Sequence, residues 1–274
     1  MMDREHHPAN QTDGTPAANV AARFVDVHCH CLPNLDDGPE SVGDSLALCR
    51  ALVADHVDTV VATPHQLGRF EMRTSAAEVR EAVRRLNRAL AEEGLELTVL
   101  PGAEVRLDER IDRLLVEGGV LTLADLGRHL LLELPRGVFI DIEPLLTQLL
   151  SRGVAPIIAH PERDRELVQH SEALQRWLEC GASLQVTAAS LTGDFGPQVQ
   201  EAAWMLVARG WVSTVAGDAH HHRLSPPRLT AAFGAIRARL GQDRACLLCI
   251  ENPARVIHGE RLAPVETWTQ QGVS

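Results

Sequence analysis

The segment Asp26-Val27-His28-Cys29-His30 places two imidazoles two residues apart. Side chains at that spacing on an extended strand share one face. His28 and His30 would therefore converge, while Cys29 and Cys31 point away. A single His-x-His pair is a weak sign of metal binding, but this one has company. His65 follows Val-Val-Ala-Thr-Pro, and Glu104 follows Leu-Thr-Val-Leu-Pro-Gly-Ala. Glu133 ends Leu-Leu-Leu-Glu, His160 ends Ala-Pro-Ile-Ile-Ala-His, and Asp218 and His220 follow Ser-Thr-Val-Ala-Gly. Imidazole and carboxylate together suit Zn, Fe or Mn, and a carboxylate-rich set leans towards the harder ions. Ligands at this density could hold two or three ions. Taken alone, Glu104 or Glu133 reads equally well as a buried, paired carboxylate. His221 and His222 read as solvated loop, and His6 and His7 as tail.

These residues share a position: each stands at the C-terminal end of a strand-like run. Strands are expected at Arg23–His28, Thr59–Thr63, Leu95–Leu100, Leu130–Leu134, Ala155–His160, Ser183–Thr187 and Trp211–Ala216. Helices are expected at Asp44–Ala54, Thr74–Glu93, Ile142–Arg152, Ser171–Cys180, Pro197–Arg209 and Arg228–Leu240, with Gly181 and Gly210 as stop signals. Seven apolar strands separated by helices indicate a mainly parallel α/β sheet, better met by a distorted (β/α)7 TIM-like barrel than by an open sheet. In such barrels the C-terminal strand edge is where active sites assemble. Residues 1–22 read as a disordered extension, and 23–274 as a single domain.

The bulk composition narrows the function classes. With 26 basic and 37 acidic side chains the formal net charge is −11, which opposes binding to nucleic acid or to an anionic membrane. A phosphorylated substrate stays compatible, because metal ions supply local positive charge. No apolar run is long enough for a membrane span, and residues 1–22 lack a signal-peptide core, so a cytoplasmic protein with reduced thiols is expected. Cys249 and Arg255 have the C-x5-R spacing of cysteine-based tyrosine phosphatases. The intervening Ile-Glu-Asn-Pro-Ala has no glycine and carries a Pro and a Glu, which suits a phosphate cradle poorly. Cys246 and Cys249 form C-x2-C with no second pair, so a structural zinc is not expected.

Read in order, the motifs resemble the PHP superfamily of polymerase and histidinol phosphatase domains. The opening DVHCHCLPNLDDGPES (26–41), with its Asp36-Asp37-Gly38, resembles one branch, the bacterial manganese-dependent protein-tyrosine phosphatases of capsule and exopolysaccharide operons. TPH (63–65), GAE (102–104), LLELP (131–135), AHPER (159–163), GDAH (217–220) and ENPARVI (251–257) continue the match from about Phe24 to Gly259. The resemblance implies a PHP-type barrel with three divalent metal ions, Mn first, with Fe or Zn as alternatives. His28, His30, Glu104 and Asp218 would surround one ion. Glu104 would bridge to a second held by Glu133 and His160, and Asp37, His65 and His220 would hold the third. Arg163 and Asp218 are assigned to catalysis, Arg163 through its fork on the substrate phosphate. A second phosphate-binding arginine of that branch precedes a Pro-Pro pair. Ser225 stands there in this chain, with Arg223 and Arg228 on either side as substitutes.

The implied reaction is hydrolysis of a phosphate monoester by hydroxide bridging two of the ions. The implied partner is a phosphotyrosine protein, the tail of a bacterial tyrosine kinase. Oligomerisation is left open. Two other readings compete: a PHP phosphoesterase acting on a small metabolite such as histidinol phosphate, and a PHP-fold regulatory or binding module without activity. A complete ligand set argues against the latter.

Overall fold

The apolar runs settle as nine strands, every ladder parallel, in a computed structural model that describes residues 23–265. The expected N-terminal extension, with His6 and His7, and the last residues of the expected domain lie outside the described residues. The strands are β1 (Phe24–Cys29), β2 (Val57–Ala62), β3 (His65–Gln66), β4 (Thr98–Pro101), β5 (Glu104–Arg106), β6 (His129–Glu133), β7 (Ala155–Ala159), β8 (Ser183–Thr187) and β9 (Val212–Ala216).

Nine strands and the expected seven are the same paths counted differently. One sheet runs β1-β2-β4 and the other β3-β5-β6-β7-β8-β9. β2 and β3 are one path broken at Thr63-Pro64, and β4 and β5 one path broken at Gly102-Ala103. Pro64 has no N–H to give a ladder. At Gly102 a Cβ would lie 2.6 Å from Val61 Cγ1, so only glycine lets the two paths cross so closely. Past the break, His65 pairs in register with Glu104. The short β3 and β5 thus carry two ligand-type residues that the sequence placed at the ends of longer strand runs. The order of strand paths is that of a β/α barrel, yet the seam between β1 and β9 is no ladder. It is held by a parallel bridge between Cys29 and Ala219 and by two bonds: Asp218 N–H donates to His28 O at 2.7 Å, and His30 N–H to Ala219 O at 2.9 Å.

Two apolar layers form around these strands. The larger lies between strands and helices. Helix α1 (Val42–Ala54) starts at Ser41, whose hydroxyl accepts from Asp44 N–H. Helix α2 (Ala76–Glu92) starts in a capping box, with Ser75 accepting from Glu78 N–H and Glu78 accepting from Ser75 N–H. Its Val79, Val83, Leu86 and Leu90 recur at helical spacing and are all buried. The smaller cluster joins Val27, Val61, Leu131, Ile157 and Ala216 of the strands to Leu123 and Val256. Truncating Leu131 or Ile157 to Ala there would cost about 2–5 kcal/mol. Helices at Ile111–Glu117 and Asn252–Ile257 were not expected from periodicity, each being too short to show it. No helix among the described residues is long and apolar enough to cross a membrane.

Candidate metal centre

The site begins with a break in strand alternation. Val25 and Val27 of β1 face the small cluster, while Phe24 and Cys29 belong to the larger one. Strict alternation would send His28 outward with Phe24. The pairing of β1 with β2 slips between Asp26 and Cys29. Bulges of this kind occur at barrel rims and re-aim a side chain. The slip turns His28 and His30, already convergent by their spacing, towards the site, with their Nε2 atoms 3.2 Å apart. Asp26 supports it from below: its Oδ1 accepts from His28 N–H at 3.2 Å and Gly217 N–H at 2.9 Å. A Cβ at Gly217 would sit 2.3 Å from Asp26 Oδ2, so that approach needs glycine. Just beyond β7 and β9, His160 and Asp218 hold left-handed backbone, with φ of 34° and 50°. Strain at such positions gathers where the surrounding structure over-determines it, active sites among them.

All nine expected ligand residues meet at this edge. His30, Asp37, His65 and His220 offer ligand atoms within 4.8 Å of one another, and so do His28, His30 and Glu104. Two further groups are His28 with His160 and Asp218, and His65 with Glu104 and Glu133. The expected trio Asp37, His65 and His220 is therefore together, joined by His30. Glu133 gathers with His65 rather than with His160. Glu104 is the hub. Its Oε2 lies 3.0 Å from His65 Nδ1, 3.4 Å from His28 Nε2 and 3.5 Å from His30 Nε2. Its Oε1 lies 2.8 Å from His160 Nε2.

The hydrogen-bond chemistry asks for a cation. Asp36 Oδ2 stands 2.6 Å from His30 Nδ1, and a carboxylate only accepts, so His30 carries its hydrogen on Nδ1. Gln185 Oε1 orients His28 in the same way, at 2.9 Å from Nδ1. The two Nε2 lone pairs then face each other and Asp218 Oδ1, which is 3.2 Å from one and 3.4 Å from the other. Glu104 Oε2 and His65 Nδ1 are buried with no hydrogen-bond partner. Acceptors facing acceptors are stable only around a proton or a metal ion. Titration behaviour agrees. Burial pulls the His28 imidazolium down, but the Asp218 and Glu104 carboxylates outweigh it and raise the pKa. Burial also opposes charge at His30, and Asp36 with Asp218 and Glu104 raises it well above the ordinary value. Conversely, burial would raise Glu104, but His28 and His160 hold it well below the carboxylate range. The residues present fit a site for divalent metal.

The cavity over these groups has a volume of about 450 Å³, and Arg69, Arg106, Arg136 and Arg163 line it. Arg163 pairs through Nη1 with Asp218 Oδ2 and lies over the Phe195 ring at 4.5 Å. Arg223 and Arg228 are elsewhere. Arg223 is exposed, Arg228 pairs with Asp194 at 2.8 Å, and neither lines the cavity. Sequence reasoning missed Asp36 and Gln185 as orienting groups, and Arg69, Arg106 and Arg136 at the rim. Asp36 could have been suspected, since it adjoins Asp37 six residues after His30. Gln185 carried no signal. His221 and His222 stack on each other at 4.4 Å and join no ligand group. Cys249 is fully buried, with burial and then Cys246 pushing its thiol far above the reactive range, and it sits in a helix rather than a phosphate-cradling loop. All six cysteines are free.

The family described as "Capsular polysaccharide synthesis, CpsB/CapC" matches residues 24–258. Tyrosine-protein phosphatase YwqE of Bacillus subtilis is 38% identical over 226 residues, which span 82% of this chain and 88% of YwqE. Tyrosine-protein phosphatase CpsB of Streptococcus pneumoniae is 27% identical over 85% of this chain and 98% of its own. A crystal structure from work on YwqE and CpsB, described as unique metal-dependent tyrosine phosphatases, superposes with a TM-score of 0.84. It is 32% identical and covers 90% of this chain and all of its own.

Proposed function

This chain belongs to the CpsB/CapC family of capsular polysaccharide synthesis, and on that premise we propose that it is a metal-dependent tyrosine-protein phosphatase. The observation that carries the reading is Glu104, buried with one carboxylate oxygen unpartnered among three imidazole nitrogens. His28, His30, Asp37, His65, Glu104, Glu133, His160, Asp218 and His220 would hold three divalent ions, with Mn favoured by the four carboxylates in the set. When bound, such ions supply Lewis acidity towards phosphoryl oxygens and lower the pKa of water.

The chain's own residues do the rest. Asp36 and Gln185 keep His28 and His30 in one tautomer and one orientation. Arg163, held between Asp218 and the Phe195 ring, presents a planar cation at the cavity wall, suited to two oxygens of one phosphate. Asp218, fixed by its backbone bond to His28, sets both the Arg163 guanidinium and the histidine pair. Tyrosine leaves as a phenolate of parent pKa about 10, which asks little of a general acid. The substrate is a phosphotyrosine protein, and in this reading the tail of a bacterial tyrosine kinase in the cytoplasm.

The test is hydrolysis of phosphotyrosine peptides and histidinol phosphate by purified protein, with and without a chelator, alongside metal analysis of His160→Ala. Chelator-sensitive turnover favouring the peptide is expected. Chelator-independent turnover, or preference for histidinol phosphate, would overturn the assignment.

A further inference from the structure

Four arginines line the catalytic cavity, and three of them already have a carboxylate. Arg69 pairs with Asp37 at 2.5 Å, Arg106 with Glu133 at 3.1 Å, and Arg163 with Asp218. Arg136 has no ion pair, side-chain hydrogen bond or ring contact among the described residues. Its charge is the one on this wall not already offset. The backbone around it is nonetheless fixed. The next residue, Gly137, adopts φ 74°, and its N–H donates to Asp164 Oδ2 at 3.1 Å. Asp164 is itself buried and caps the helix Arg165–Gln169 through Glu166 N–H. It directly follows Arg163 in the chain. One buried carboxylate thus ties the loop bearing Arg136 to the turn bearing Arg163.

We infer that Arg136 is a second phosphate-binding arginine of this enzyme, acting beside Arg163. The inference rests on the phosphatase reading. It fits the position of Arg223 and Arg228, neither of which lines the cavity. A phosphate monoester is close to dianionic near neutral pH, and the pocket around it is rich in carboxylates. Arg69, Arg106 and Arg163 each face a carboxylate of the ligand set, whereas Arg136 faces none and is free to turn to an incoming phosphate. The loop sits after β6 and the Arg163 turn after β7, neighbouring parallel strands, so the two cations approach from one side.

The test uses metal-loaded protein, with p-nitrophenyl phosphate turnover and calorimetric binding of inorganic phosphate as independent readouts. A charge-assisted hydrogen bond is worth roughly a ten- to hundredfold change in affinity. Arg136→Ala and Arg136→Gln are expected to raise KM and weaken phosphate binding by about that factor, with metal content unchanged. Arg136→Lys should recover part of the loss, and Arg223→Ala should change neither value. Unaltered phosphate binding in both Arg136 variants would overturn the inference. A defect confined to peptide substrates would do so too, since it would place Arg136 against the peptide flank. Absence of chelator-sensitive turnover in the wild-type protein would instead bring down the phosphatase reading, while the phosphate-binding arm would still judge Arg136.

Discussion

His30, just beyond the end of β1, and His129, at the start of β6, are both almost inaccessible, yet burial leaves them in opposite states. At His129 burial, with Arg128 adding to it, pushes the pKa down to about 4, and its Nδ1 has no partner. At His30 burial pulls the same way, but Asp36, Asp218 and Glu104 reverse it. The difference teaches that a buried histidine becomes a cation site only where carboxylates surround it. β6 carries the contrast along its own length, with neutral His129 at one end and Glu133 at the cavity.

The largest break in this contrast should come from Glu104→Gln. Removing the hub charge is expected to lower turnover on the order of a thousandfold and to strip bound metal. Metal analysis and aryl phosphate kinetics check it, and a variant keeping full metal content and activity would refute the hub role. A smaller loss is expected from Asp36→Asn, which keeps the shape around His30 but frees its tautomer. Metal affinity should fall about 10–100-fold, read by competition with a chelating dye.

Proton and metal should compete at this site, with a definite sign. The raised pKa of His28 and His30 contributes stability that is fully present below the unfolded value of about 6.5 and lost as pH rises through the folded value. The lowered pKa of Glu104 and Asp218 contributes stability present above about pH 4 and lost as pH falls through their folded values. Metal-free protein should therefore gain most from this network between roughly pH 5 and 6.5. Metal binding must displace the histidine protons and is favoured as pH rises, so the rise in Tm on adding Mn should grow from pH 6 to pH 8. Thermal melts with and without the ion decide this, and a shift that shrinks with pH would contradict it.

The mildest effect belongs to the other end of β6. With a folded pKa of about 4, wild-type His129 loses stability as pH falls from the unfolded value towards 4, because only the unfolded chain takes up the proton. His129→Leu removes that loss. Its stability relative to wild type should improve by about 1–2 kcal/mol between pH 7 and pH 5, with catalysis unchanged. Equal denaturant midpoint differences at both pH values would show that His129 is not held neutral.

Much of this was legible in the residues. The strand runs from Leu130, Ala155, Ser183 and Trp211 appear within a residue or so of β6 to β9, because apolar content and flanking glycines leave few alternatives there. β3 and β5 were not legible: two or three residues after Pro64 or Gly102 carry no period. Pairing across the fold makes them strands, not local preference. Convergence of His28 and His30 followed from spacing, but the face they occupy depended on the slip in β1, a property of its pairing with β2.

The same division holds for function. The order of ligand-type residues at strand ends was set by the chain itself, because side-chain chemistry and a two-residue period travel with the sequence. Which carboxylate meets which imidazole was not. Glu104 meets His28, His65 and His160 only because a parallel register and a broken strand bring distant segments within hydrogen-bond reach. The arginines were decided in the same way. Arg223 and Arg228 were near the right motif in the chain but do not line the cavity, while Arg136 does, in a loop that Gly137 ties to Asp164.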